Sequence, residues 1–177
     1  VLKKQKNIRF IKYDEMSPFF ERNIDMEELK EAVKDDLLNA FKEINSGKYD
    51  VAQELYNELI SKYQTSDFRA DSYSRLGSIA LESGQYKDAI TNFSKSMEND
   101  KKGDNRLFAI AGIMEAYVKL ENWTRAMETA IAVLREKDDL SAMTPRILEV
   151  LALSWEKIGN QANSDKFNER LIENYPG

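Results

Sequence analysis

Between Tyr73 and Met97, apolar residues fall at helical spacing in two short runs, Tyr73, Leu76 and Ala80 and then Ala89, Phe93 and Met97. Ser83-Gly84-Gln85 separates them, a break of the kind that ends one helix and begins another. The pattern predicts two helices joined by a tight turn, each with one apolar stripe. A hairpin of that size cannot bury both stripes alone and needs a neighbour.

The same phrase recurs along the chain. Gly47-Lys48-Tyr49-Asp50-Val51-Ala52 aligns with Gly84-Gln85-Tyr86-Lys87-Asp88-Ala89, and Glu121-Asn122-Trp123-Thr124-Arg125-Ala126 is a third copy. Ala52, Ala89 and Ala126 stand 37 residues apart, with Tyr56, Phe93 and Ala130 four positions after each. A weaker fourth copy opens at Gly159-Asn160-Gln161 and puts Ser164 and Asn168 in those places. An interval held this closely predicts an all-α solenoid of stacked hairpins.

The spacing resembles the tetratricopeptide repeat, with Tyr73 in its first aromatic place, Leu76-Gly77 as the Leu-Gly pair, and Ala89 and Phe93 as the Ala and Phe of its second helix. The usual proline at the end of the repeat is replaced by Lys101. The resemblance implies a right-handed α–α superhelix of about four hairpins, at about 25–63, 66–99, 104–136 and 144–175, preceded by an arm at 1–24.

In chain order, Asp25 and Glu28 form a capping box that opens a helix striped by Leu29, Val33, Leu37, Ala40, Phe41 and Ile44. The returning helix turns Ala52, Leu55, Tyr56, Leu59 and Ile60 inward. Asp104 or Asn105 is expected to cap the third hairpin, whose inward residues include Leu107, Ile110, Met114, Tyr117, Ala130 and Leu134. Thr144-Pro145 starts the fourth, with Leu148, Leu151, Ala152, Trp155, Ile158, Phe167, Leu171 and Ile172 inward. Small residues at Ala52, Ala89 and Ala126 let the paired backbones approach.

The arm has no repeat, yet Phe10, Phe19 and Phe20 are too apolar for open water. One reading has them cap the open face of the first hairpin; another has the arm fill the groove of its own or a neighbouring copy. Lys3, Lys4, Lys6, Arg9 and Lys12 make the first twelve residues +5, so the remainder carries −10 within a net −5. Such a run serves more often as a solvated tail, or as a partner for the acidic body, than as a membrane or nucleic-acid contact. The acidic body argues against nucleic acid.

At 177 residues, 42% hydrophobic and 32% charged, the chain has the composition of one globular domain. No apolar run approaches membrane-span length. The chain starts at Val1 and not Met, which suggests a trimmed product and leaves room for a removed signal or lipid anchor. Lacking cysteine and histidine, it has neither thiolate metal ligands nor the commonest general base. Asp35-Asp36, Glu27-Glu28 and Asp138-Asp139 diverge on helices, no Gly-rich phosphate loop exists, and the acids around Gly103 lack the spacing of a calcium loop. These features predict no catalytic residue, no metal and no cofactor, hence no enzyme.

In the tetratricopeptide family, the first helix of each hairpin lines a concave groove that takes peptides or helices of partners. Carried over by the register, that groove comprises Lys34, Leu37, Leu38 and Phe41, then Ser74, Arg75 and Ser78, then Phe108, Ala111, Gly112 and Glu115, then Arg146, Glu149, Val150 and Leu153. The anchors are Phe41, Phe108, Val150 and Leu153, the small residues Ser74, Ser78, Ala111 and Gly112 leave space, and Arg75 and Arg146 flank them with charge. The Lys/Asn clamp that holds a chaperone's C-terminal carboxylate in some family members is not reproduced. The implied function is a non-enzymatic scaffold for a protein partner, presented as a peptide or amphipathic helix. The alternative is a self-assembling homo-oligomer whose arm or terminal face docks into a neighbouring copy. Leu59-Ile60-Ser61-Lys62-Tyr63 and Leu171 to Gly177, with the 37-residue period, resemble bacterial envelope repeat proteins of the outer-membrane assembly lipoprotein and periplasmic coordinator types, which favours the bacterial periplasm or cell envelope over the cytoplasm.

Overall fold

The computed structural model describes residues 31–62, 68–100, 103, 105–136 and 144–175. The expected arm, the Asp25–Glu28 capping box and Asp104 lie outside the described residues. Among the described residues the chain is all-helical, with eight helices and no strand: α1 Glu31–Asn45, α2 Tyr49–Lys62, α3 Phe68–Glu82, α4 Tyr86–Asn99, α5 Arg106–Lys119, α6 Trp123–Glu136, α7 Thr144–Lys157 and α8 Gln161–Asn174. It divides into two compact units, residues 1–55 and 56–177, with the boundary inside α2.

One turn, used four times, reverses the chain between odd- and even-numbered helices. After α3, Gly84 takes a positive φ of 76°, its N–H donates to the Leu81 carbonyl at 3.2 Å, and the Gln85 N–H donates to the Ala80 carbonyl at 2.8 Å. This double bond satisfies carbonyls that a helix end leaves open. Gly47 and Gly159 repeat the pattern, with φ of 72° and 88°. In the third hairpin a side-chain-bearing residue, Glu121, is driven to φ 55° by the same pair of bonds. Asn122 and Asn160 then cap α6 and α8, their side-chain oxygens accepting from the N–H of Arg125 and of Asn163.

In the first unit, Leu37, Ala40, Ile44 and Ala52 are buried while Leu38 stands 50% exposed. An ion pair between Lys48 and Glu43 crosses the turn, too solvated to add much stability.

In the second unit the hairpins α3–α4, α5–α6 and α7–α8 stack in series. One cluster joins Ala80, Leu81, Ala89 and Phe93 to Ala109, Ile113 and Ala116. The next joins Ile110, Met114, Ala126, Ala130 and Val133 to Ile147, Val150 and Leu151. Met97 and Tyr117 pack against both, so the apolar seam is continuous. Each large side chain in it contributes roughly 1.5–3 kcal/mol through burial.

The four small-residue positions, Ala52, Ala89, Ala126 and Ser164, are all 0% exposed, because the paired backbones meet there. Four residues expected inward or as caps behave differently. Leu134 is 39% exposed because its neighbour Val133 takes the core position, and Ile158 and Ile172 stand 45% and 70% exposed on the last hairpin. Asn105 precedes α5 but makes no side-chain cap bond. Its own N–H, with that of Gly103, is held instead by the Asp100 carboxylate at 2.8 and 2.9 Å.

Candidate functional site

In the second unit, α3, α5 and α7 carry the residues expected to line a groove. The structure sorts them into four kinds. Gly112 and Val150 lie between hairpins. The ring of Phe93 from α4 covers Gly112, and Val150 is 0% exposed in the cluster with Ala130 and Val133 of α6. The space foreseen beside Gly112 is therefore filled by Phe93, and Val150 belongs to the core.

A second set is polar and buried. Arg75 is 4% exposed and lies 3.4 Å from Asp71, one turn earlier on α3. Burial raises the Asp71 carboxyl to about 7 and lowers the Arg75 guanidinium to about 9. Burial, with the charge of Asp71 as a lesser contribution, also raises Tyr56 well above the usual phenol value. Nearby, Ser74 and Ser96 share a 2.9 Å hydrogen bond, and the Ser96 hydroxyl donates to the Ala70 carbonyl at 2.7 Å, tying α4 to α3.

Glu115 and Arg146 join two neighbouring first helices. The Arg146 guanidinium donates through Nε to Glu115 Oε1 and through Nη2 to Oε2 at 2.8 Å, a fork-on-fork pair between α5 and α7. Its Nη1 also donates to Glu149 Oε2 at 3.1 Å. Glu115 is buried; burial acts to lower the Arg146 pKa, and the hydrogen bonds and charges of Glu115 and then Glu149 together hold it above its ordinary value.

The remaining groove residues keep partial exposure: Ser78 on α3, Phe108 and Ala111 on α5, and Leu153 on α7. The Ser78 hydroxyl donates to the Ser74 carbonyl at 3.2 Å, and Phe108 meets Phe93 edge-on with ring centroids 5.8 Å apart. In the first unit, Phe41 is half-buried and Leu38 exposed. Among the described residues no cluster of three acidic side chains is arranged to hold a metal, and no helix is long and apolar enough to cross a membrane.

Sequence reasoning named Glu115 and Arg146 without seeing that they bind each other. Their opposite charges on successive first helices were the available signal. Asp71 was missed, since nothing in its neighbourhood marks a charged residue on a helix as buried.

The crystal structure of the MamA protein resembles this chain with a TM-score of 0.65 at 17% identity, covering 80% of this chain and 72% of that one. A second MamA structure, of the AMB-1 form, gives 0.66 at 16% identity over 91% and 81%. The fold is that of a tetratricopeptide-type helical array. The Cut9–Hcn1 hetero-tetramer of the APC/C matches at 0.61 and 17% identity, over 80% of this chain and 27% of that one. No protein-family model and no curated protein matches the sequence.

Proposed function

We propose that this chain is a non-enzymatic scaffold that holds a peptide or amphipathic helix of a partner protein along α3, α5 and α7. The observation that carries the reading is a set of partly exposed, mostly apolar residues on successive first helices, with Ser78 and Leu153 at one repeat position and Ala111 and Phe108 one and two turns before that position on α5. Beside that set, Arg146 and Glu115 neutralise each other, giving a firm floor on which an apolar segment loses little by desolvation. Phe41 occupies the matching register in the first unit.

The fold agrees with this use, since MamA and Cut9 share it and the latter was crystallised in complex with Hcn1. A bacterial envelope setting is part of the proposal, supported by the likeness of the repeat phrases to envelope repeat proteins.

Selection of a phage-displayed library of helical peptides on the full chain tests the reading. Selected peptides should lose at least about tenfold in affinity to an Ala111→Glu, Leu153→Glu double variant whose melting temperature is unchanged. Binding that survives the double variant removes the groove from consideration. Fractionation of the source cells checks the compartment: recovery with cytoplasmic markers contradicts the envelope assignment.

A further inference from the structure

The charges between α5 and α7 do not cancel. Arg146 serves two carboxylates with one positive charge: Glu115 takes its Nε and Nη2 donors, and Glu149 takes Nη1 at 3.1 Å. The three side chains therefore sum to −1. Glu115 and Arg146 are sheltered, whereas the Glu149 side chain is 44% exposed. The surplus negative charge thus faces water at Glu149, where a cation can reach it.

The same face of α7 continues from Glu149 through Leu153, partly exposed, to Lys157, exposed in the last turn. These residues stand four apart, so helical geometry stacks them at intervals of about 6 Å. On α5 the order is Ala111, partly exposed, then Glu115, closed off by Arg146, then Lys119, exposed in the last turn. An open acid at one end and two open lysines at the other bracket the apolar contacts offered by Ala111 and Leu153, with roughly 12 Å between acid and base along α7.

We propose that the partner segment is an amphipathic helix with opposite charges at the two ends of its apolar stripe, an inference that rests on the groove reading above. A lysine or arginine meets Glu149, and an aspartate or glutamate about two turns away meets Lys119 and Lys157. The charges also set the direction in which the helix lies, since a reversed helix would put base against base and acid against acid.

Selection from a phage-displayed library of helical peptides, with a leucine stripe held constant and the charged positions two turns apart varied, tests this on the full chain. The unaltered chain should enrich pairs of one base and one acid at least about threefold over two bases or two acids, and raised salt should shrink that preference. A Lys119→Glu, Lys157→Glu variant should enrich two bases instead, and Glu149→Gln should lose the requirement for a base. Circular dichroism checks folding, and a Lys119→Gln, Lys157→Gln variant, which should lose the requirement for an acid, replaces the reversed pair if that one unfolds. The inference is overturned, with the groove reading intact, if bound peptides are lost on Ala111→Glu, Leu153→Glu yet show no charge preference, or one that the charge variants leave unaltered. Peptides that survive Ala111→Glu, Leu153→Glu, or a selection that yields none, overturn both.

Discussion

The ring of Phe93 lies directly against the backbone of Gly112, on the next hairpin, where any side chain would overlap it. The ring has no retreat, because a Cβ at Gly77 on its own hairpin would stand 2.7 Å from Phe93 Cδ1. Gly112→Ala should therefore force the two hairpins apart and cost about 1–3 kcal/mol, read as a lower denaturation midpoint. A Gly112→Ala, Phe93→Leu double variant should recover part of the loss, and a simple helix-propensity gain on adding alanine would contradict the arrangement.

Glu121 holds the left-handed turn position that glycine occupies in the other three hairpins. A side chain there is strained, and the turn's two hydrogen bonds need only the backbone. Glu121→Gly should raise stability by about 0.5–1 kcal/mol. A fall in melting temperature would show that the Glu121 side chain contributes something the backbone does not.

The Glu115–Arg146 fork spans two hairpins and is mostly sheltered from water. Removing one partner leaves the other desolvated and poorly matched, so Arg146→Ala and Glu115→Ala should each cost about 1–3 kcal/mol. A double-mutant cycle should return a coupling of about 1 kcal/mol or more, beyond that of an exposed pair. Additive losses would mean the two residues do not act on each other in solution.

Asp71 gives the fold a pH response of unusual sign. Its carboxyl binds a proton more tightly when folded, at about 7, than at the ordinary value of 3.8 in the unfolded chain. The native state holds the extra proton between those values, so this residue's contribution to stability is full below about pH 4 and is lost as pH rises through about 7. Urea titrations at pH 5 and pH 8 should place the higher midpoint at pH 5 once the other carboxylates are accounted for with an Asp71→Asn variant. An Asp71→Asn protein with the same pH dependence as the unaltered chain would rule this out.

The repeat unit was legible because it is a backbone phenomenon with a fixed period: Ala52, Ala89 and Ala126 mark where paired helices touch, and the turn residues mark where they reverse. Ser164 shows the limit of that reading, since a polar side chain sits fully buried in the fourth copy where pattern alone gave a weak match. The groove was less legible. Its members were assigned by register, and register does not distinguish a residue such as Ala111, which keeps exposure, from its neighbour Gly112, sealed by a ring nineteen residues away in sequence. Arg75 and Glu115 look like surface charges in one dimension. Their burial follows from what neighbouring helices place against them, and no local pattern encodes that.

Of the six helices in the second unit's three hairpins, α8 is held most loosely, with Ser164 as its only fully buried side chain among the described residues. Its amide protons should exchange first, opening by local fraying well before the rest melts.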